Sequence, residues 1–270
     1  MNLEFFYLSK IYPYIFLFSG TLSLHHAISV GDVSMAKCLL ENKIIWVDVE
    51  DSQGRTALHY AVLQSDIGLL SLLLKHGANV DAIDYTGTSP AHLACEEGML
   101  DAISLLLYYK ADMFAVDNSG RTPFDRACEY GREKVVEQLL NSGLTWSLLQ
   151  KANDNHTASA LHLASRNGHV QIVSYLIECG WPLNRLTSQG SALFEAAAYA
   201  RIQVVRYLLY MGCDPTITND SGETAVDICK KTSSNNPITS KEIRYLLKGY
   251  HYHLLSLSFS NRISNKKIME

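Results

Sequence analysis

Marker residues of the stretch 117–143, Asp-Asn-Ser-Gly-Arg-Thr-Pro-Phe-Asp-Arg-Ala-Cys-Glu-Tyr-Gly-Arg-Glu-Lys-Val-Val-Glu-Gln-Leu-Leu-Asn-Ser-Gly, recur along the chain at a nearly fixed interval. With Gly131 as reference, the same place is held by Gly31, Ser65, Gly98, Gly168 and Ala200, at successive intervals of 34, 33, 33, 37 and 32 residues. Such a period specifies a stack of small units, each touching its neighbours, instead of one centre around which distant segments collect.

The order inside a unit reads as turn, helix, loop, helix. Asp117 to Gly120 is turn chemistry, with glycine free to take positive φ. Thr122 and Pro123 form an N-cap followed by proline at the first helical position, where the missing N–H costs nothing. A short helix with Phe124 and Ala127 runs to Gly131, and a second helix presents Val135, Val136, Leu139 and Leu140 on one face until Gly143 stops it. The same apolar quartet begins four residues after every reference position: Met35/Ala36/Leu39/Leu40, Leu69/Leu70/Leu73/Leu74, Ala102/Ile103/Leu106/Leu107, Ile172/Val173/Leu176/Ile177 and Val204/Val205/Leu208/Leu209. The first helices share an alanine at Ala27, Ala61, Ala94, Ala127, Ala164 and Ala196, where close helix approach leaves room only for a small side chain. An irregular last unit starts at Asn219, breaks into a polar loop over 232–240 and resumes with Ile243, Leu246 and Leu247, as expected of a capping repeat.

A period near 33 with variants of Thr-Pro-Leu-His-x-Ala resembles the ankyrin repeat. The variants here are Thr56-Ala57-Leu58-His59-Tyr60-Ala61, Ser89-Pro90-Ala91-His92-Leu93-Ala94 and Ser159-Ala160-Leu161-His162-Leu163-Ala164. The resemblance implies an all-α ankyrin-repeat solenoid of helix-turn-helix units joined by β-hairpin-like turns, with six repeats and a divergent C-terminal cap over 23–249. Residues 117–123, 127–132, 167–169, 184–187 and 195–197, with Lys241-Glu242-Ile243 in the long-looped last repeat, are similar to the N-terminal ankyrin array of Caskin-type scaffold proteins. The extra length between Gly143 and Asn155 and the short turn at Gly190-Ser191 fit that family's spacing. Caskin-type scaffolds continue into an SH3 domain, a linker that recruits a membrane-associated kinase-like scaffold, and SAM domains. This chain ends about twenty residues after its last repeat, so those contacts do not transfer and a fragment or a shortened form is expected.

Net charge of −4 gives no general attraction to nucleic acid or to an anionic membrane surface. Cys38, Cys95, Cys128, Cys179, Cys213 and Cys229 are dispersed without a CxxC pair and read as small buried thiols in a reducing, cytoplasmic setting. Residues 1–22 leave two readings open. The run from Ile11 to Phe18 is too short to span a bilayer and serves as an apolar lead-in over the end of the stack, or it is the h-region of a signal peptide despite Glu4. The tail, 250–270, matches no pattern; with Lys241, Arg244 and Lys248, its Arg262, Lys266 and Lys267 form a basic C-terminal end read as a solvated face.

Chemistry is expected to be absent. Neither a metal nor a cofactor is called for: His25, His26, His59, His92 and His162 recur at related positions, but a metal needs three or four ligands converging at about 2 Å. In ankyrin arrays this histidine resembles a structural residue bonded to a turn. Asp125 and Asp227 stand in its place in two repeats and read as turn or cap acceptors, and Phe194 stands there in a third. Ser165 lacks the strand-turn setting of a nucleophile elbow, and no phosphate-binding glycine loop precedes a helix. The chain is therefore read as a non-enzyme. What remains is surface: turn tips and outer positions of the first helices, free of packing duty, line a concave groove for a protein partner. By register the binding residues are Arg55, Tyr60, Tyr85, Leu93, Arg121, Arg126, His156, Gln189, Glu195 and Glu223, with Tyr60, Arg121 and Arg126 foremost because tyrosine and arginine dominate interface energetics. A scaffold module is expected; the alternative is a substrate-recruiting adaptor of a ubiquitin ligase. One turn breaks the glycine rule: Thr157 stands where Gly54, Gly87, Gly120, Gly190 and Gly222 stand, and that hairpin is expected to be irregular.

Overall fold

The computed structural model describes residues 20–42, 45–154, 159–232 and 237–249. The expectations for Thr157, for His156, for 1–19 and for the tail from 250 onward lie outside those residues. The chain divides between Ala127 and Cys128 into two compact units.

The first unit is built from paired helices. These are α1 (Gly20–Ser29) with α2 (Val33–Glu41), α3 (Ala57–Leu63) with α4 (Ile67–Lys75), and α5 (Pro90–Glu97) with α6 (Leu100–Tyr108). Helix α7 (Pro123–Glu129) carries the division within it. The apolar quartets do what their spacing dictates: Ala36, Leu39 and Leu40, then Leu69, Leu70, Leu73 and Leu74, then Ala102, Ile103 and Leu106 are buried. Ala27, Ala61, Ala94 and Ala127 are fully buried, which lets the first helices of adjacent repeats lie close together.

The second unit contains α8 (Glu133–Leu139), α9 (Thr145–Asp154), α10 (Ala160–Asn167) paired with α11 (Val170–Glu178), α12 (Ala192–Ala198) paired with α13 (Ile202–Tyr210), and α14 (Ala225–Lys231). A final helical run, α15, covers 237–249. The long connection after Gly143 holds a helix of its own, which the periodicity did not indicate. Gly143 does end α8: at φ 83° it leaves the helical region inside the wide turn Leu140–Leu144, and α9 starts directly afterwards. Regular strands among the described residues are limited to β1 (Leu186–Thr187) and β2 (Gly190–Ser191), an antiparallel pair pairing Leu186 with Ser191.

Backbone conformation explains the reference positions. Gly31, Gly98, Gly131 and Gly168 have φ between 71° and 89°, and Ser65 and Ala200, which replace glycine there, take φ of 56° and 55°. The link between the two helices of a repeat thus demands a left-handed residue, and the period preserves the conformation even where it loses the glycine. A second such site closes the second helices, at Gly77, Gly143, Gly180 and Gly212, with Lys110 at φ 64° in their place.

The turns are anchored by a repeated carboxylate or amide. Asp51 Oδ1 accepts from the N–H of Gln53 and of Arg55 (2.7 and 2.9 Å). Asp84 does the same for Thr86 and Thr88 (2.8 and 3.0 Å), and Asp117 for Ser119 and Arg121 (2.8 and 3.0 Å). In the second unit Asn219 serves Ser221 and Glu223 (3.0 and 2.9 Å). An Asx side chain that satisfies two successive turn donors fixes the turn without help from its neighbours.

Histidines then join repeat to repeat. The imidazole Nδ1 of His59 accepts the N–H of Thr56 at 3.1 Å, and that of His92 accepts the N–H of Ser89 at 3.1 Å. A backbone N–H only donates, so Nδ1 is bare and the proton sits on Nε2. That proton is donated to a carbonyl of the following turn, Thr88 for His59 and Arg121 for His92, both at 3.0 Å. In the second unit Nε2 of His162 meets the carbonyl of Arg185 at 3.1 Å, with Ser159 Oγ 2.8 Å from Nδ1. Both nitrogens of each ring are engaged in holding the fold. Asp125 and Asp227 cap their own helices instead, accepting from Thr122 Oγ1 (2.8 Å) and Thr224 Oγ1 (2.7 Å).

Candidate protein-binding site

The outer position of the first helix reaches back to the turn of its own repeat. Tyr60 Oη donates to Asp51 Oδ2 at 2.7 Å, and Arg126 Nε donates to Asp117 Oδ2 at 2.9 Å; in both cases the partner lies nine residues earlier. Arg126 also donates from Nη1 to Glu96 Oε2 at 3.1 Å, one repeat back. The ring of His25 meets Tyr60 edge-on at 5.3 Å between centroids. Arg55 Nε lies 3.5 Å from Asp84 Oδ2 in the next turn. The first unit therefore presents a surface of aromatic and guanidinium groups whose orientation is fixed by carboxylates beneath them.

The electrostatics follow from that arrangement. Burial pushes the Asp51 carboxyl up, but the Tyr60 hydroxyl and the N–H groups of Arg55 and Gln53 outweigh it and hold the pKa below the usual value. Asp117 is likewise raised by burial and drawn below its ordinary value by the Arg121 N–H and by Arg126. The hydrogen bond to Asp51 pushes the Tyr60 phenol up.

Placed on the structure, the residues expected at this surface separate into groups. Tyr85 is 68% exposed and projects from its turn tip over Gly54, where an added Cβ would sit 2.5 Å from its ring. Arg55, Tyr60 and Arg121 are half-buried, in keeping with a contact surface. Arg126 is not free of packing duty as expected: its side chain is 15% exposed and bridges Asp117 and Glu96, so it organises the surface. Leu93 is buried, which corrects its assignment to the free positions. Asp84, the counterpart of Asp51, is satisfied by Thr86 and Thr88, and Leu93 has no polar head to hold out, so its side chain withdraws from water.

In the second unit Gln189 is exposed, and Glu223 is half-exposed beside Lys231, whose ammonium holds the Glu223 carboxyl low. Glu195 is the second correction: expected on the open surface, it is buried within a cleft of about 450 Å³ formed by α10, α12, α14 and α15 with Gln189 from the turn. Ile228, Thr232 and Ser240, from the irregular last repeat, help to cover it. Burial pushes the Glu195 carboxyl up, and Arg166, with Nε 3.3 Å from Oε2, offsets this only partly. Arg166 in turn lies over the Tyr199 ring, 4.6 Å from its centroid. Sequence reasoning missed Asp51, Asp117, Glu96 and Arg166. The nine-residue spacing shared by Asp51/Tyr60 and Asp117/Arg126 was the available signal for the first two.

The family model for ankyrin repeats, in three copies, matches residues 17–84, 70–147 and 141–219. The chain belongs to the ankyrin-repeat family. Its ankyrin array is similar to part of palmitoyltransferase akr1 of Schizosaccharomyces pombe, 43% identical over 61 residues that make up 23% of this chain and 10% of that protein. It is similar also to Caskin-2 of Homo sapiens, 39% identical over 95 residues, 35% of this chain and 8% of that one. The matches thus span a tenth or less of these two relatives. Among solved structures, the ankyrin repeat domain of Bcl-3 superposes with a TM-score of 0.61 at 25% identity, covering 76% of this chain and 92% of that domain. The ankyrin fold is a protein-interaction module, in which stacked repeats create an extended binding surface. Among the described residues no helix is long and apolar enough to cross a membrane.

Proposed function

We propose that this chain is a non-catalytic protein-interaction module of a cytoplasmic scaffold or adaptor, and that its partner docks on the turn tips and first-helix side chains. The observation that carries this reading is the pre-ordered surface of the first unit, where Arg55, Tyr60 and Tyr85 stand over Asp51, Asp84 and Gly54. Side chains held in place before binding lose little freedom on contact, which favours affinity, and tyrosine and arginine carry most interface energy. The likeness to part of Caskin-2 fits a scaffold, and the ankyrin array fits equally an adaptor that recruits substrates to a ubiquitin ligase. The six cysteines are dispersed along the sequence without a CxxC pair, which fits a reducing compartment.

The test is affinity purification from cell extract with the full chain beside the double variant Tyr85→Ala/Arg121→Glu. Reversal at Arg126 is unsuitable, because a glutamate there would face Asp117 and Glu96 and unsettle the fold. Partners captured by the parent chain and lost by the variant, at an unchanged unfolding midpoint, support the reading; partners captured equally by both overturn it.

A further inference from the structure

The cleft of the second unit has a chemistry of its own. Glu195 is 4% exposed. A carboxylate offers about four acceptor sites; among the described residues its ion pair is that of Oε2 with Arg166 Nε at 3.3 Å, and that N–H finds no well-aligned acceptor there. Around it stand the apolar and aromatic walls of Phe194, Ile228 and Tyr199, with the exposed Gln189 at the rim. The cleft, about 450 Å³, has room for one long side chain beside the Gln189 turn of its own unit.

We propose that this cleft is a subsite for a basic side chain of the protein partner, arginine ahead of lysine, with Glu195 as its counter-ion. The assignment rests on the protein-binding reading of this surface and adds to it the chemical class that the subsite selects. The alkyl stem of such a side chain lies along Ile228 and Phe194, and its head reaches the Glu195 oxygen that Arg166 leaves unserved. Arg166 does not fill the site. Its guanidinium lies over the Tyr199 ring, and burial outweighs what Arg166 returns to the carboxyl, which stays above its ordinary value. An acidic side chain would face Glu195 directly, and an aliphatic one would bury that carboxylate more deeply without adding a donor to the Arg166 pair. Arginine leads lysine because its planar guanidinium matches a carboxylate edge and stacks on aromatic rings.

The test uses the full chain and four probes, the N-acetyl amides of arginine, lysine, glutamine and glutamate, followed by NMR shifts of the Ile228 methyls and the Arg166 Nε–H. The arginine probe is expected to bind with Kd on the order of 10 mM, and the glutamine and glutamate probes about tenfold more weakly or worse. Glu195→Gln, which keeps the shape, is expected to weaken arginine binding about tenfold; Tyr199→Ala, at a half-exposed position that leaves the fold intact, about threefold. Equal binding of the glutamine probe, arginine binding no tighter than lysine, or unchanged arginine binding in Glu195→Gln overturns the assignment. The two readings fail separately: loss of this subsite leaves capture through Tyr85 and Arg121 untouched, and a failure of capture leaves the probe titration standing.

Discussion

Acid should loosen this array through its histidines, and His162 gives the size of the effect. Burial, reinforced by Arg185, pushes the His162 imidazole down to about 4 from an ordinary 6.5. The folded state therefore refuses a proton that the unfolded chain accepts, so the stability is fully present above pH 6.5 and is lost as pH falls toward 4. A difference of about 2.5 units at about 1.36 kcal/mol each gives roughly 3 kcal/mol from this one ring. His59 and His92 are lowered in the same direction, also first by burial. Glu195 acts with the opposite sign, since its raised carboxyl gains folded-state stability as pH falls through its folded value. The clean measurement is thus a difference between the parent chain and His162→Ala in urea unfolding, at steps from pH 7.5 to 4.5. At pH 7.5 the variant should be less stable by about 3 kcal/mol, from two lost hydrogen bonds and a cavity. That gap should close almost completely by pH 4.5, because the parent loses what the variant no longer has. A gap that stays constant with pH would refute the assignment of His162 as a neutral, doubly engaged link.

Further substitutions probe other parts of the account. Ser165 occupies the place of Cys95 and Cys128, and its Oγ is buried with no hydrogen-bond partner among the described residues; Ser165→Cys should raise stability by about 1 kcal/mol in thermal unfolding. Lys110→Gly should stabilise by about 0.5–1 kcal/mol by relieving a left-handed residue. Gly131→Ala, whose new Cβ would meet the His169 ring at 2.5 Å, should cost more than Gly143→Ala, where nothing lies within 4 Å; paired melts of the two variants check the order. Asp117→Ala leaves the N–H groups of Ser119 and Arg121 without their acceptor and takes the Asp117 carboxylate from Arg126, for about 3–5 kcal/mol in urea unfolding. Glu41→Ala, which breaks the exposed pair with Lys37, should cost under about 0.5 kcal/mol.

The period was enough to place what depends on backbone conformation. Ser65 and Ala200 were aligned with glycines by spacing alone, and both prove left-handed, because a helix-to-helix link of fixed length permits few geometries. The capping roles of Asp125 and Asp227 were legible for a similar reason: a residue three after an N-cap reaches the cap whatever lies elsewhere. What failed was exposure. Whether the outer position of a first helix stays open depends on what the neighbouring repeat lays over it, and the sequence of one repeat is silent on that. Leu93 and Glu195 went wrong on this point, Glu195 because residues from the divergent last repeat close over it. The helix α9 was missed since it belongs to no period, and a single insertion has no second copy against which to read it.

The central claim is that a partner docks on the turn-tip and first-helix surface. Photo-crosslinking tests it most directly, with a benzoylphenylalanine placed at Tyr85 in one full-length chain and at Tyr108, the exposed last residue of the second helix α6, in another. The account predicts a covalent partner adduct from position 85 and none from position 108. An adduct from 108 with none from 85 would place the interface on the second helices and contradict it.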